Sequence, residues 1–167
     1  GASTYAIVAS RNDDGVQLID VSDPSAPVAV GSATDGVGSF DELDGAHGVA
    51  TFVIGASTYA IVASVFDDGV QLIDVSNPSA PVAVGSATDG VGGFDELDGA
   101  NGVATFVIGA STYAIVASEA DDGGVRGARQ RQRQGLFCCS RRTGDVRDAA
   151  HEPRRSQARD LLRHRPA

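Results

Sequence analysis

Lysine, methionine and tryptophan are absent from this chain, and each absence narrows the reading. Without a methionine, Gly1 is not a translation start, and the chain reads as a fragment or processed product. Cysteine occurs only as the adjacent pair Cys138 and Cys139, which cannot staple distant parts of a fold; this leaves the redox compartment open. No apolar run is long enough to span a bilayer, and no signal peptide is visible, although a missing N-terminus removes that evidence both ways. Basic residues are almost missing from residues 1–123, where Arg11 stands alone against eighteen acidic side chains. Residues 124–167 reverse this, with twelve arginines against Asp145, Asp148, Glu152 and Asp160, so the formal net charge of −9 hides two opposite halves.

What is present is a repeat. The decapeptide GASTYAIVAS opens at Gly1, Gly55 and Gly109, a period of 54 residues. Laid over one another, residues 1–54 and 55–108 differ at five positions: Arg11/Val65, Asn12/Phe66, Asp23/Asn77, Ser39/Gly93 and His47/Asn101. A repeat of this length signals a unit that cannot bury its apolar face alone and must stack on its neighbours.

Within one unit, four short strands are expected. Gly48–Ile54 (GVATFVI) and Tyr59–Ser64 (YAIVAS) are rich in β-branched and aromatic residues and flank the turn-prone GAST. Asp67-Asp68-Gly69 is a hairpin-turn signal, followed by a third strand, Val70–Val75. The SNPSAP turn, with two prolines that cannot donate to a ladder, leads to a fourth strand, Val82–Ala87. A loop over Thr88–Asn101 joins the next unit. Four antiparallel strands per unit without helical periodicity predict an all-β, propeller-like array of four-stranded blades at a period of 54. Over residues 1–123 the count is three strands, then four, then two, an incomplete set of blades. Propellers close with typically about four to eight blades, so exposed blade faces and edges predict self-association.

The run YAIVAS, the turn DDG, the strand VQLIDVS and the turn DPSAP, over Tyr5–Ser10 and Asp13–Val28, resemble the LVIVD repeat, and the likeness extends over residues 1–123. That resemblance implies a β-propeller-type repeat in an extracellular or cell-surface protein, without a known catalytic site. The acidic loop makes this copy longer than the shortest repeats of that kind.

Strand parity places the DDG turn and the long loop on one face of a blade and the GAST and SDPSAP turns on the other. The first face collects Asp13, Asp14, Asp35, Asp41, Glu42 and Asp44, then Asp67, Asp68, Asp89, Asp95, Glu96 and Asp98. Its field would attract a cation or a basic protein and repel nucleic acid. Asp41, Glu42, Asp44, Asp95, Glu96 and Asp98, in the two DELDG segments, are calcium candidates, because a hard cation favours several carboxylate oxygens. The spacing is not that of an EF-hand, and the competing reading is a solvated acidic loop. Asp20 and Asp74 are read as caps of the SDPSAP-type turns. His47 has Asn101 as its repeat equivalent and reads as a solvent-facing side chain rather than a base. No serine or threonine has a histidine partner in sequence, which gives a hydrolase triad no foothold.

After Gly123 the repeat is replaced by an Arg-rich tail, 124–167, with few large apolar residues, expected to be mostly disordered apart from a short helix at 156–165. Lysine-free, arginine-rich text beginning in mid-strand reads as the product of a frameshift; the alternative is a basic arm. The combined expectation is a non-enzymatic fragment of a cell-surface repeat protein acting in interaction or scaffolding through the acidic face, with no resident cofactor. Other classes are a calcium-binding adhesion module, part of a propeller enzyme whose active site lies in other blades, and a nucleic-acid binder using the tail. The last predicts salt-sensitive DNA or RNA binding that vanishes when 124–167 is deleted; a filter-binding titration that is the same before and after deletion removes it.

Overall fold

The computed structural model describes residues 3–119 and the backbone of a strand at 132–139. Among these residues there is no helix, hence none long and apolar enough to cross a membrane, and the strands form three antiparallel sheets. The first sheet contains β1 (Tyr5–Ser10), β2 (Gly15–Asp20) and β3 (Val28–Thr34). The second contains β4 (Ala46–Ile54), β5 (Ser57–Ser64), β6 (Gly69–Asp74) and β7 (Val82–Thr88). The third contains β8 (Ala100–Ile108), β9 (Ser111–Glu119) and β10 (Gln132–Cys139). Neighbours in each sheet are neighbours in sequence, the up-and-down order expected of propeller-type blades.

The four strands expected in the complete unit are all present, with ends that move by one or two residues. Their turns follow from local chemistry. Ile54 pairs with Ser57, so Gly55 and Ala56 form a two-residue loop; Gly55 has φ 66°, the positive value that a type II′ hairpin needs at its first central position. Asp14 and Asp68 in the DDG turns have φ 49° and 51°, a left-handed conformation that aspartate tolerates better than most residues. In the SDPSAP turn the Asp23 carboxylate accepts from the Ser25 amide at 2.9 Å, while Asp20 accepts from the Ser22 amide at 2.9 Å. Asp74 does the same for Ser76 at 2.9 Å, so the capping role read for Asp20 and Asp74 is realised.

The sheets stack face to face through two apolar clusters. Between the first and second sheets lie Val16, Leu18 and Ala33 on one side and Ala60, Val62, Ile73 and Val75 on the other. Between the second and third, Ile61, Ala63, Val70 and Ala87 meet Ala114 and Val116. Alternate residues of β5 therefore point to opposite neighbours, and its run Ala60–Ser64 is buried throughout, as a strand covered on both faces must be. The first strands of the second and third sheets also touch: Thr105 Oγ1 donates to Thr51 O at 3.1 Å.

The leucine of each DELDG loop completes these clusters. Leu43 and Leu97 are 0% and 1% exposed, each wedged between two sheets. The loops read from sequence as acidic, either solvated or cation-binding, thus contain a core residue, a single leucine set among three acidic residues and a glycine.

The third sheet also differs from expectation. The sequence predicts two strands there, yet β10, from within the Arg-rich tail, pairs antiparallel with β9. Leu136 stands opposite Ile115 and Phe137 opposite Ala114, the register positions that Leu72 and Ile73 hold opposite Ile61 and Ala60. The apolar pair of the tail thus falls where the repeat places its own. The remaining tail, including the expected disorder and the helix at 156–165, lies outside the described residues.

Replacing Leu43 with alanine should cost about 2–5 kcal/mol of stability, the range for emptying a buried leucine site. Urea unfolding of Leu43→Ala beside Val91→Ala, whose side chain is exposed, checks this; a similar small shift for both would contradict the wedge.

Candidate functional site

The carboxylates on the loop side are organised by backbone amides. Three consecutive N–H groups of the first DELDG loop each donate to a different aspartate. Leu43 N donates to Asp35 Oδ1 at 3.0 Å, Asp44 N to Asp67 Oδ2 at 2.7 Å and Gly45 N to Asp14 Oδ1 at 3.0 Å. Successive amides gathered on anionic groups form a nest-like arrangement, here closed by the protein's own side chains. The second loop repeats it, with Leu97 N donating to Asp89 Oδ1 at 2.7 Å and Gly99 N to Asp68 Oδ1 at 2.8 Å.

The two aspartates of the DDG turn have different duties. The second, Asp14 or Asp68, holds the loop that leaves its own sheet. The first, as Asp67 shows, holds the loop arriving from the previous sheet. Gly45 and Gly99 are required at the end of each loop: both have positive φ, 71° and 64°, and a Cβ at Gly45 would strike the Phe66 ring, at Gly99 the carbonyl of Glu119. These close approaches let Val65 N donate to Gly45 O at 3.1 Å and Glu119 N to Gly99 O at 3.0 Å.

Glu42 is the most unusual member. It is 9% exposed and reaches into the second sheet, where Thr88 Oγ1 donates to its Oε1. Its Oε2 is buried without a hydrogen-bond partner and occupies the space that a Cβ on Gly69 would need. The backbone around it is clamped as well: Ser64 Oγ, fully buried, donates to Glu42 O at 2.7 Å, and Gln71 Oε1 accepts from Asp41 N at 3.3 Å. The same serine bond recurs in the next unit, Ser118 Oγ to Glu96 O at 2.8 Å.

Electrostatics follow from this crowding. Burial raises the Glu42 pKa above the ordinary glutamate value; the Thr88 hydrogen bond opposes the rise, and the charges of Asp67, Asp35 and Asp41 add to it. Asp67 is raised by burial, opposed by its bond from the Asp44 amide. Asp44 is raised by burial and then by Asp14 beside it. Asp20 and Asp23, on the opposite turns, are lowered by their serine hydrogen bonds.

Of the six calcium candidates, Asp41, Asp95, Glu96 and Asp98 are exposed, Asp44 is half-buried and Glu42 is buried. Among the described residues, no group of three or more His, Cys, Asp or Glu side chains is placed to hold a metal ion. His47 is exposed and its Nδ1 lies 2.8 Å from Asn101 O, where it links neighbouring strands. It sits at a bulge, between Ala46 and Gly48, and Asn101 occupies the equivalent bulge of β8. An apolar cleft lies between the second and third sheets, lined by Phe52, Ile61, Val70, Leu72, Thr105 and Tyr113 among others, away from the carboxylates.

Sequence reading missed Ser64, Gln71, Thr88 and Gly69 as receivers of the loop. Identity between the units gives no signal for them, because all but five positions are shared.

A raised carboxyl pKa means the folded state binds the proton more tightly, so stability is present below the unfolded value, 4.5 for Glu42, and is lost as pH rises through the higher native value. Glu42→Gln should therefore flatten the fall in melting temperature over that interval and stabilise the chain by about 1 kcal/mol at pH 8. Thermal scans of both proteins from pH 4 to pH 8 measure it; parallel curves would show that Glu42 is not the group responsible.

Comparison with known proteins supports the repeat reading: residues 3–35 and 54–89 match the LVIVD repeat family. No curated protein matches the chain.

Proposed function

From the premise that this chain is an LVIVD-repeat protein segment, we propose that it is a non-enzymatic interaction or scaffolding module of the cell surface, which binds basic protein partners through its acidic loops. The observation that carries this reading is the division of labour among the carboxylates. Asp14, Asp35, Asp67, Asp68 and Asp89 are committed to holding backbone amides, which builds a rigid loop platform. Asp41 and Asp95 stand exposed on that platform, one per unit at the repeat spacing. Such an arrangement favours a ligand with positive charge spread along its length over a single point cation.

The near-identity of the two units favours this class over catalysis. A single active site needs residues that differ between blades, and of the five differing positions two exchange a side chain suited to acid–base work: His47/Asn101, which serves as a bulge contact, and Asp23/Asn77, where both side chains accept from the amide of the serine two residues on. Steering by the acidic platform acts over a Debye length and weakens with salt.

An oligoarginine peptide, titrated by fluorescence anisotropy, should bind more tightly at low ionic strength. Asp41→Asn combined with Asp95→Asn should weaken binding while leaving the melting temperature unchanged. Affinity that ignores both salt and the double substitution would defeat the proposal.

A further inference from the structure

Each copy of GASTYAIVAS runs into a DDG turn, yet the two residues between them differ in every copy: Arg11-Asn12, Val65-Phe66 and Glu119-Ala120. Between the first two units only Asp23, Ser39 and His47 change besides. The tip of this turn is therefore where one unit is most plainly distinguished from the next, and it stands beside the DELDG loop on the acidic face, where Phe66 N donates to Asp44 O at 3.2 Å.

Phe66 is an aromatic side chain that core packing does not account for. It is 57% exposed and belongs to neither apolar cluster. It is nevertheless held in place. Val65 N donates to Gly45 O at 3.1 Å, and the ring lies so close to Gly45 that a Cβ there would come within 2.8 Å of Phe66 Cδ2. A ring positioned before a partner arrives loses little freedom on binding. Asp67 follows it in the chain and accepts from Asp44 N, so the ring stands among carboxylates.

Over this ring, 4.8 Å from its centroid, lies the guanidinium of Arg11, which stands alone as a basic residue in 1–123. A cation within about 6 Å of an aromatic centroid is attracted by the ring quadrupole. Arginine suits the position better than lysine, because its planar guanidinium stacks on the ring and is less strongly hydrated. The second unit thus shows, with a residue of the preceding turn, which chemical group its ring receives.

We infer that Phe66 is an arginine-reading anchor of the acidic face: an arginine of a basic partner segment stacks on its ring while the neighbouring carboxylates take the flanking basic residues, and Arg11 holds that place as an internal stand-in until the partner displaces it. This rests on the binding of basic partners proposed above and adds to it a residue, a preference and a competitor. Carboxylates attract lysine and arginine alike by charge; the ring discriminates between them. It also fixes the partner's register on a repetitive surface, since Asn12 and Ala120 offer no ring at the other tips. Arg11, tethered beside the ring, competes at high effective concentration and lowers the apparent affinity of the site.

The full chain is titrated by fluorescence anisotropy with oligoarginine and oligolysine peptides of equal length. Arg11→Val, which installs the residue of the second tip at the first, frees the ring. It should tighten the arginine peptide about two- to five-fold more than the lysine peptide, the factor that an exposed cation–π contact carries. The gain of the lysine peptide measures the removed charge alone. With Phe66→Ala, the residue of the third tip, the same Arg11→Val change should tighten both peptides equally. Arg11 is exposed, so a nearly unchanged melting temperature of Arg11→Val confirms that the fold is intact. Equal gains for the two peptides in the chain that keeps Phe66 would overturn the inference while salt-dependent binding of both leaves the acidic face as the partner site. Failure of both peptides to bind any of these chains would remove that underlying reading and this one with it.

Discussion

Each of the two described junctions between sheets contains a buried leucine held in an acidic loop. Leu43 and Leu97 supply apolar area at the centre of each junction, and apolar burial is strong but indifferent to direction. Direction comes from the amides on either side, which are fastened to Asp35, Asp67 and Asp14 in the first loop. One fastening point lies in the loop itself, one in the turn of the sheet being left and one in the turn of the sheet being entered. The wedge cannot shift without breaking bonds to both sheets, so stacking and registration are set by the same five residues.

The same economy accounts for the electrostatic tension at Glu42. A buried carboxylate with one oxygen unmatched is costly, and three neighbouring aspartates make its charge costlier still. It remains where it is because the peptide around it is clamped by Ser64 and Gln71, which leaves the side chain little choice but to lie against Gly69. The absence of a Cβ at Gly69 is as much a part of this junction as the hydroxyl of Thr88.

Much of the fold was legible because repetition and alternation are properties of residue order. The four strands of the unit, the DDG and SDPSAP turns and the two-sided burial of Ala60–Ser64 all follow from patterns local to about ten residues. The part played by the acidic loops was not legible, because it depends on which atoms of aspartate face which backbone amides some thirty positions away, and spacing alone made them resemble ligands for a cation. Leu43 was hidden for a related reason: a single apolar residue among three acidic ones and a glycine has no period. β10 was missed because Leu136 and Phe137 lie in a short run between Arg- and Gln-rich text and an arginine pair, and only the register against β9 shows that they match Leu72 and Ile73. His47 is exposed, as read, and it lies with Asn101 at equivalent bulges, so the repeat tolerates the exchange at a position outside the ladder of its own sheet.

The shared DDG turn has a consequence for how such an array comes apart. With one aspartate reaching backward and the next reaching forward, each unit derives much of its order from its neighbours and little from itself. In a linear array this is the condition of weak intrinsic stability and strong nearest-neighbour coupling. Melting of a few stacked units then runs as a single cooperative transition instead of peeling away one unit at a time, so a short stretch of the array behaves as one domain.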